Sequence, residues 1–244
     1  MDSVYRLEVM EELYKKYGCF AEGSPGLGNR LRFWRKKYAW VIVVGGAKLL
    51  KRSIDIVAAL AAMILLSPLF LMVALLIKSD GGPIFFWQKR VGRYGREFPF
   101  PKFRSMVINA EQLKKSLESQ KEFKESITFK IKKDPRITPT GRIIRKLSID
   151  ELPQLWCVLK GDMTLVGPRP PVPSEVARYT LKDRRRLDVT PGLTCIWQVS
   201  GRSDIPFDKQ VTLDVDYIES QSLWLDIKLL FKTIPAVLSG KGSY

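Results

Sequence analysis

Residues 56–77 read IVAALAAMILLSPLFLMVALLI, a run without a charged residue. At about 1.5 Å per residue, a helix of this length reaches across the hydrocarbon core of a bilayer. A secretory signal would lie at the N-terminus and end in a small-residue cleavage site, whereas this run follows a polar stretch and no such site comes after it. A buried core helix of a globular protein normally keeps a polar face, and here only Ser67 is polar. Two features argue against a plain span. Pro68 stands at the midpoint, where it removes a backbone hydrogen bond and crowds the preceding turn. The flanks are also basic on both sides, with Lys48, Lys51 and Arg52 before the run and Lys78, Lys89, Arg90, Arg93 and Arg96 after it. Such residues favour the cytoplasmic face, and a straight span must send one group across. A helix that breaks at Ser67-Pro68 and returns to its starting face satisfies both flanks, with the Ser67 hydroxyl taking up a carbonyl freed by the proline. A kinked spanning helix is the alternative. On the re-entrant reading, Arg52 and Lys78 face the same side of the membrane.

The whole chain has 244 residues, 45% hydrophobic and 27% charged, a globular balance with room for one fair-sized domain and an appendage. It contains 41 Lys and Arg against 25 Asp and Glu, a net charge of +16, and no histidine. The lack of histidine removes Ser-His-Asp and Cys-His nucleophile systems and nearly every catalytic zinc site. Cys19, Cys157 and Cys195 have neither a CxxC spacing nor the number for a disulfide framework, and fit a reducing compartment. Chemistry must therefore rest on carboxylates, cations, hydroxyls or an oxygen-bound metal. The positive charge calls for an acidic partner: nucleic acid, an anionic membrane surface or a phosphorylated small molecule.

Ahead of the apolar run, VYRLEVMEELYKKY predicts a short helix, followed by a Gly-Ser-Pro-Gly linker, and residues 30–38 mix cations with aromatic rings as interfacial segments do. After the turn signal Asp80-Gly81-Gly82-Pro83, IFFWQKRVG predicts a strand, and a second is expected around Phe98–Phe103. A charged helix is expected from Asn109 to about Phe123, then alternating turns and short helices from Asp134. SLWLDIKLLFKTIPAVL, near the C-terminus, predicts an amphipathic helix lying on a membrane or capping the core. The expected organisation is an extension (1–47), a re-entrant membrane helix (48–79) and a domain (80–244) that includes the C-terminal amphipathic helix.

No Walker loop or GxGxxG fingerprint occurs, which turns attention to LSIDELPQLW. Ser148 and Glu151 match a capping box, a purely structural reading, but Pro153 would then fall where a helix needs its N–H. If Asp150 caps the helix, Pro153 lies in the first turn and two carboxylates stand at a helix N-terminus, which also attracts phosphate. Arg142, Arg145 and Lys146 precede the pair. Arg169 is fixed between prolines in Gly167-Pro168-Arg169-Pro170-Pro171, which suits bidentate phosphate recognition. Lys102, Arg104 and Arg202 are further phosphate-binding candidates, each with a surface salt bridge as its alternative role.

From Lys51 to about Leu238 the chain resembles the bacterial polyprenyl-phosphate sugar-1-phosphate transferases, the monotopic phosphoglycosyl transferases. The resemblance rests on ordered blocks: Lys51-Arg52-x-x-Asp55, Ser67-Pro68, Asp80-Gly81-Gly82-Pro83, Lys102-Phe103-Arg104-Ser105-Met106, Asp134-Pro135-Arg136, Asp150-Glu151-Leu152-Pro153-Gln154-Leu155, Val166-Gly167-Pro168-Arg169-Pro170, Pro191-Gly192-Leu193-Thr194, Val199-Ser200-Gly201-Arg202 and Asp214-x-Asp216-Tyr217. Departures are Cys157, where the family commonly has Asn, and Cys195, where Gly is frequent.

The resemblance implies a mostly helical α+β fold, monotopic in the membrane, with a Ser-Pro-broken re-entrant helix and interfacial amphipathic helices. A small catalytic domain would sit on the cytoplasmic face of the bacterial inner membrane. It implies transfer of a sugar-1-phosphate from a UDP-sugar to undecaprenyl phosphate, giving UMP, with Mg²⁺ as cofactor. Asp150 would be the nucleophile and metal contact, and Glu151 would position or deprotonate the incoming group. Lys102, Arg104, Arg145, Arg169 and Arg202 would bind phosphate. No nucleic-acid partner is expected on this reading, and a homodimer is compatible with it. The competing readings are a hydrolase of nucleotide-sugar or lipid pyrophosphate, and a non-catalytic, membrane-anchored basic protein that binds nucleic acid or an acidic polymer.

Overall fold

The computed structural model describes residues 27–116, 134–240 and 242. The expected N-terminal helix and linker, and the second half of the charged helix, lie outside the described residues. The chain divides into two compact units, Met1–Ile54 and Asp55–Tyr244. A long helix α1 (Leu27–Leu65) belongs to both. In the first unit, α1 carries the basic-aromatic segment, and the exposed rings of Trp34 and Tyr38 stack with centroids 5.7 Å apart.

In the second unit, α1 ends one residue before the Ser-Pro pair. Helix α2 (Ser67–Lys78) then starts with Pro68 in its first turn, where no N–H is needed. The segments Gly45–Leu65 and Ser67–Lys78 meet at 59°. Pro68 leaves the Ile64 carbonyl without its helical donor, and the Ser67 hydroxyl supplies one at 2.8 Å. No single described helix is long and apolar enough to cross a membrane, but the bent pair suffices by length and composition.

The predicted strands form an antiparallel hairpin, β1 (Phe85–Val91) and β2 (Glu97–Phe103), with Gln88 opposite Phe100 and Phe86 opposite Lys102. A second, parallel pair was not anticipated: β3 (Thr164–Val166) and β4 (Gly192–Thr194). Gly192 is required there, since a Cβ would sit 2.0 Å from the Gly167 nitrogen. Short helices follow the hairpin: α3 (Ala110–Ser116), α4 (Pro139–Lys146) and α5 (Leu155–Lys160). After β3 come α6 (Pro173–Val176) and α7 (Leu181–Arg184), and after β4 come α8 (Ile196–Ser200), α9 (Phe207–Ser220) and α10 (Leu223–Ser239).

The core gathers Phe98 and Phe100 from β2, Leu155 and Val158 from α5, Val166 from β3, Tyr217 from α9, Leu229 from α10 and Ala59 from α1. Burying each large apolar side chain contributes about 1.5–3 kcal/mol. Val73 and Ile77 of α2 pack against Phe103 and Ile144 in a second cluster. Tyr217 ties three elements together, its hydroxyl donating to the Asp226 carboxylate (2.7 Å) and lying 2.8 Å from the Val166 carbonyl. That bond explains why Asp226 is buried on the otherwise amphipathic α10, whose Trp224, Phe231, Ile234 and Leu238 are exposed.

Asp55 shows what the first sequence block does. It is buried on α1, accepting from the Thr164 hydroxyl and from the Leu165 N–H at 3.2 Å, and so docks the apolar helix onto β3. Asp55→Ala leaves both donors buried without a partner. It is expected to cost about 2 kcal/mol, lowering the melting temperature of the detergent-solubilised protein by about 4–8 °C. An unchanged melting temperature would contradict this docking role.

Candidate functional site

Asp150 and Glu151 lie in a 3-10 turn, Ile149–Gln154, that runs into α5. Neither anticipated capping arrangement forms. Ser148, the residue before the turn, is left-handed and its side chain caps nothing. The reason is competition. Glu151 is taken by cations instead of the Ser148 N–H, and the Ser148 hydroxyl accepts from Arg202 Nη2 at 3.2 Å. Pro153 is tolerated because a short turn needs few of its N–H groups.

Glu151 is gripped from two sides. Lys102 Nζ on β2 lies 2.7 Å from its Oε1, and the Arg169 fork holds both oxygens, Nη1 reaching Oε2 at 3.0 Å and Nη2 bonding Oε1. The prolines around Arg169 are themselves pinned: Arg90 Nη1 and the Val91 N–H donate to the Pro170 and Pro171 carbonyls, both at 2.9 Å. Asp150 is treated differently. Among the described residues its carboxylate takes no hydrogen bond, and its ion pair is the looser one to Lys102 Nζ, 4.0 Å from Oδ2. Burial pushes the Asp150 carboxyl up to about 6, with Lys102 opposing and the neighbouring Glu151 charge adding to the rise. Burial would raise Glu151 as well, but Arg169 and Lys102 hold it well below the usual carboxylate range. Two adjacent carboxylates are thus driven apart by their surroundings, a pattern found where one group reacts and the other positions.

These groups line a cleft of about 490 Å³, within the range of a small-molecule site. Lys102, Arg145, Asp150, Glu151, Arg169 and Arg202 are all brought to it. Arg104 is not. It is buried and donates to the carbonyls of Pro83 (2.7 Å), Ile77 (3.1 Å) and Met106 (3.4 Å) and to the Asp80 carboxylate, so it fastens the turn after α2 rather than facing the cleft. Arg90, read from sequence only as flanking charge, does line the cleft, as do Gln88, Arg186 and Gln198. Strand alternation was the available signal: Phe86, Gln88 and Arg90 share a face of β1 opposite Lys102, Phe100 and Phe98. Arg90 and Lys102 lie over the Phe100 ring, at 5.1 and 5.7 Å from its centroid. Another part of the lining comes from Leu230, Thr233, Ala236 and Val237 of α10, the helix that also exposes Trp224, Phe231, Ile234 and Leu238.

No group of three or more metal-ligating side chains occurs among the described residues. Mg²⁺ is commonly held by one or two carboxylates, with substrate phosphate and water completing the shell. Of the two cleft carboxylates, Glu151 is occupied by Lys102 and Arg169, so Asp150 is the one that would hold such an ion.

A sequence profile described as bacterial sugar transferase matches residues 46–240. The chain belongs to this family. It is 47% identical over 223 residues to the galactosyl transferase CpsE of Streptococcus agalactiae serotype III (strain NEM316), covering 91% of this chain and 47% of that protein. It is 46% identical over 201 residues to the undecaprenyl-phosphate galactose phosphotransferase of Salmonella typhimurium, covering 81% of this chain and 42% of that protein. The chain thus spans about half the length of these two relatives. The exopolysaccharide production protein ExoY of Sinorhizobium fredii is closer in size: 43% identity over 207 residues covers 82% of this chain and 90% of that protein.

Proposed function

We propose that this bacterial sugar transferase moves a sugar-1-phosphate from a UDP-sugar to undecaprenyl phosphate at the cytoplasmic face of the inner membrane. The observation that carries the reading is the unequal pair: a buried, loosely held Asp150 beside a Glu151 locked by Lys102 and Arg169, in a cation-lined cleft.

The Asp150 carboxylate attacks the β-phosphorus of the donor. An Asp150–phosphorus bond forms, the bond from that phosphorus to the bridging oxygen breaks, and UMP leaves with the bridging oxygen. The phosphate oxygen of undecaprenyl phosphate then attacks the same phosphorus, giving the diphosphate-linked sugar and restoring Asp150. Mg²⁺, when bound, supplies charge neutralisation at the phosphate oxygens. Arg145, Arg169, Arg202 and Lys102 contribute to the same end from fixed positions. A carboxylate held as low as Glu151 is a weak base, which favours a positioning role over deprotonation of the acceptor. The second step needs a lipid phosphate at headgroup depth. The exposed apolar residues of α1 and α2, the basic flanks and the outward face of α10 support a site seated there.

UMP release measured across UDP-sugars with Mg²⁺ tests the reaction. Sustained release is expected only with undecaprenyl phosphate and one preferred donor. UDP-galactose is tried first, because the names of the Streptococcus and Salmonella relatives carry galactose. Sustained release without lipid would indicate a hydrolase instead. For the broken helix, cysteines introduced as Arg52→Cys and Lys78→Cys are expected to label from the same side of inner-membrane vesicles, and labelling from opposite sides would contradict re-entry.

A further inference from the structure

Ser148 and Arg202 share a backbone conformation that side-chain-bearing residues avoid, both with φ of 54°. Among the described residues only Tyr94, at the exposed end of the hairpin, joins them as a non-glycine at positive φ. Such a conformation carries a steric cost and persists where surroundings over-determine it. The two residues are far apart in sequence, yet both line the cleft and bond each other through Arg202 Nη2 and the Ser148 hydroxyl. Each is braced by its neighbours. The Ser148 N–H donates to the Arg145 carbonyl (2.9 Å), and its carbonyl accepts from the Glu151 N–H (3.2 Å), so it joins α4 to the carboxylate turn. Beside Arg202, the Ser203 N–H donates to the Gly242 carbonyl at 3.2 Å. Glycine would adopt the Ser148 backbone freely. What serine adds is the hydroxyl.

We propose that Ser148 is a positioning residue: its hydroxyl holds the Arg202 guanidinium in the cleft beside the carboxylate turn, ready for a phosphate of the diphosphate donor. The inference rests on the transfer reaction proposed above. One N–H of Arg202 is committed to Ser148, and the rest of the planar fork remains for phosphate oxygens. Without the hydroxyl, the long side chain must be ordered by the substrate itself, which weakens donor binding.

The test is a double-mutant cycle on the full chain, with Ser148→Gly, Arg202→Met and the two combined, assayed with the preferred UDP-sugar. Ser148→Gly keeps the turn without strain, so its melting temperature is expected to be no lower than that of wild type. Its kcat/KM for the donor falls about tenfold, mainly through KM, the scale of one hydrogen bond to a charged group. In the Arg202→Met background, Ser148→Gly has no further effect. Additive losses, wild-type kinetics in Ser148→Gly, or a loss confined to kcat would overturn the inference while leaving the transfer reaction intact. A wild-type protein that releases no UMP would instead overturn the transfer reaction, and this role with it.

Discussion

Asp150→Asn is expected to lower kcat for lipid-dependent UMP release by about 10⁴-fold or more, the scale at which loss of a nucleophile acts. The amide matches the carboxylate in shape, and Asp150 accepts no hydrogen bond among the described residues, so little of the fold depends on its charge. Loss of a buried charge beside Glu151 should leave the melting temperature unchanged or slightly raised. Steady-state kinetics together with a thermal melt separate the two effects. Activity within about tenfold of wild type in a folded Asp150→Asn protein would remove Asp150 from the chemistry.

Arg169→Lys is expected to lose about 10²–10³-fold in kcat, as removal of one preorganised charge-stabilising donor does. Arginine reaches both oxygens of Glu151 with a planar fork, whereas lysine is a point charge that satisfies one at a time. The loss should appear chiefly in kcat, because a guanidinium that drifts from its place stabilises the developing charge less than the bound donor. Arg169→Met should also destabilise the fold, since it strips a buried carboxylate of its strongest partner. Full activity in Arg169→Lys would show that charge alone is needed there and that the fork geometry is incidental.

Much of this was legible in the sequence where one residue type imposes one geometry. Pro68 dictates a break, and Ser67 beside it satisfies the orphaned Ile64 carbonyl as expected. Alternation and turn residues mark the hairpin, and periodicity marks α10. Strands β3 and β4 escaped because three residues give no measurable period, and their pairing joins segments separated by two short helices. The side-chain partners were less readable. Arg104 and Arg169 look alike as arginines near apolar blocks, yet one is consumed by carbonyls after α2 and the other faces the cleft; only the folded chain distinguishes them. Asp214 likewise proves structural, fully buried with Arg186 Nε at 2.7 Å. The Ser148–Glu151 box was a real local signal, defeated by stronger charge-assisted bonds from distant residues.

The most direct test of the central claim is to incubate the protein with Mg²⁺ and a UDP-sugar labelled in the sugar, without lipid, and to follow the label. Wild type is expected to release one equivalent of UMP in a burst and to retain the label on the peptide containing Asp150, then to surrender it when undecaprenyl phosphate is added, while Asp150→Asn retains none. Label that never attaches to a wild-type protein still turning over with lipid, or that attaches equally to Asp150→Asn, would contradict a covalent transfer through Asp150.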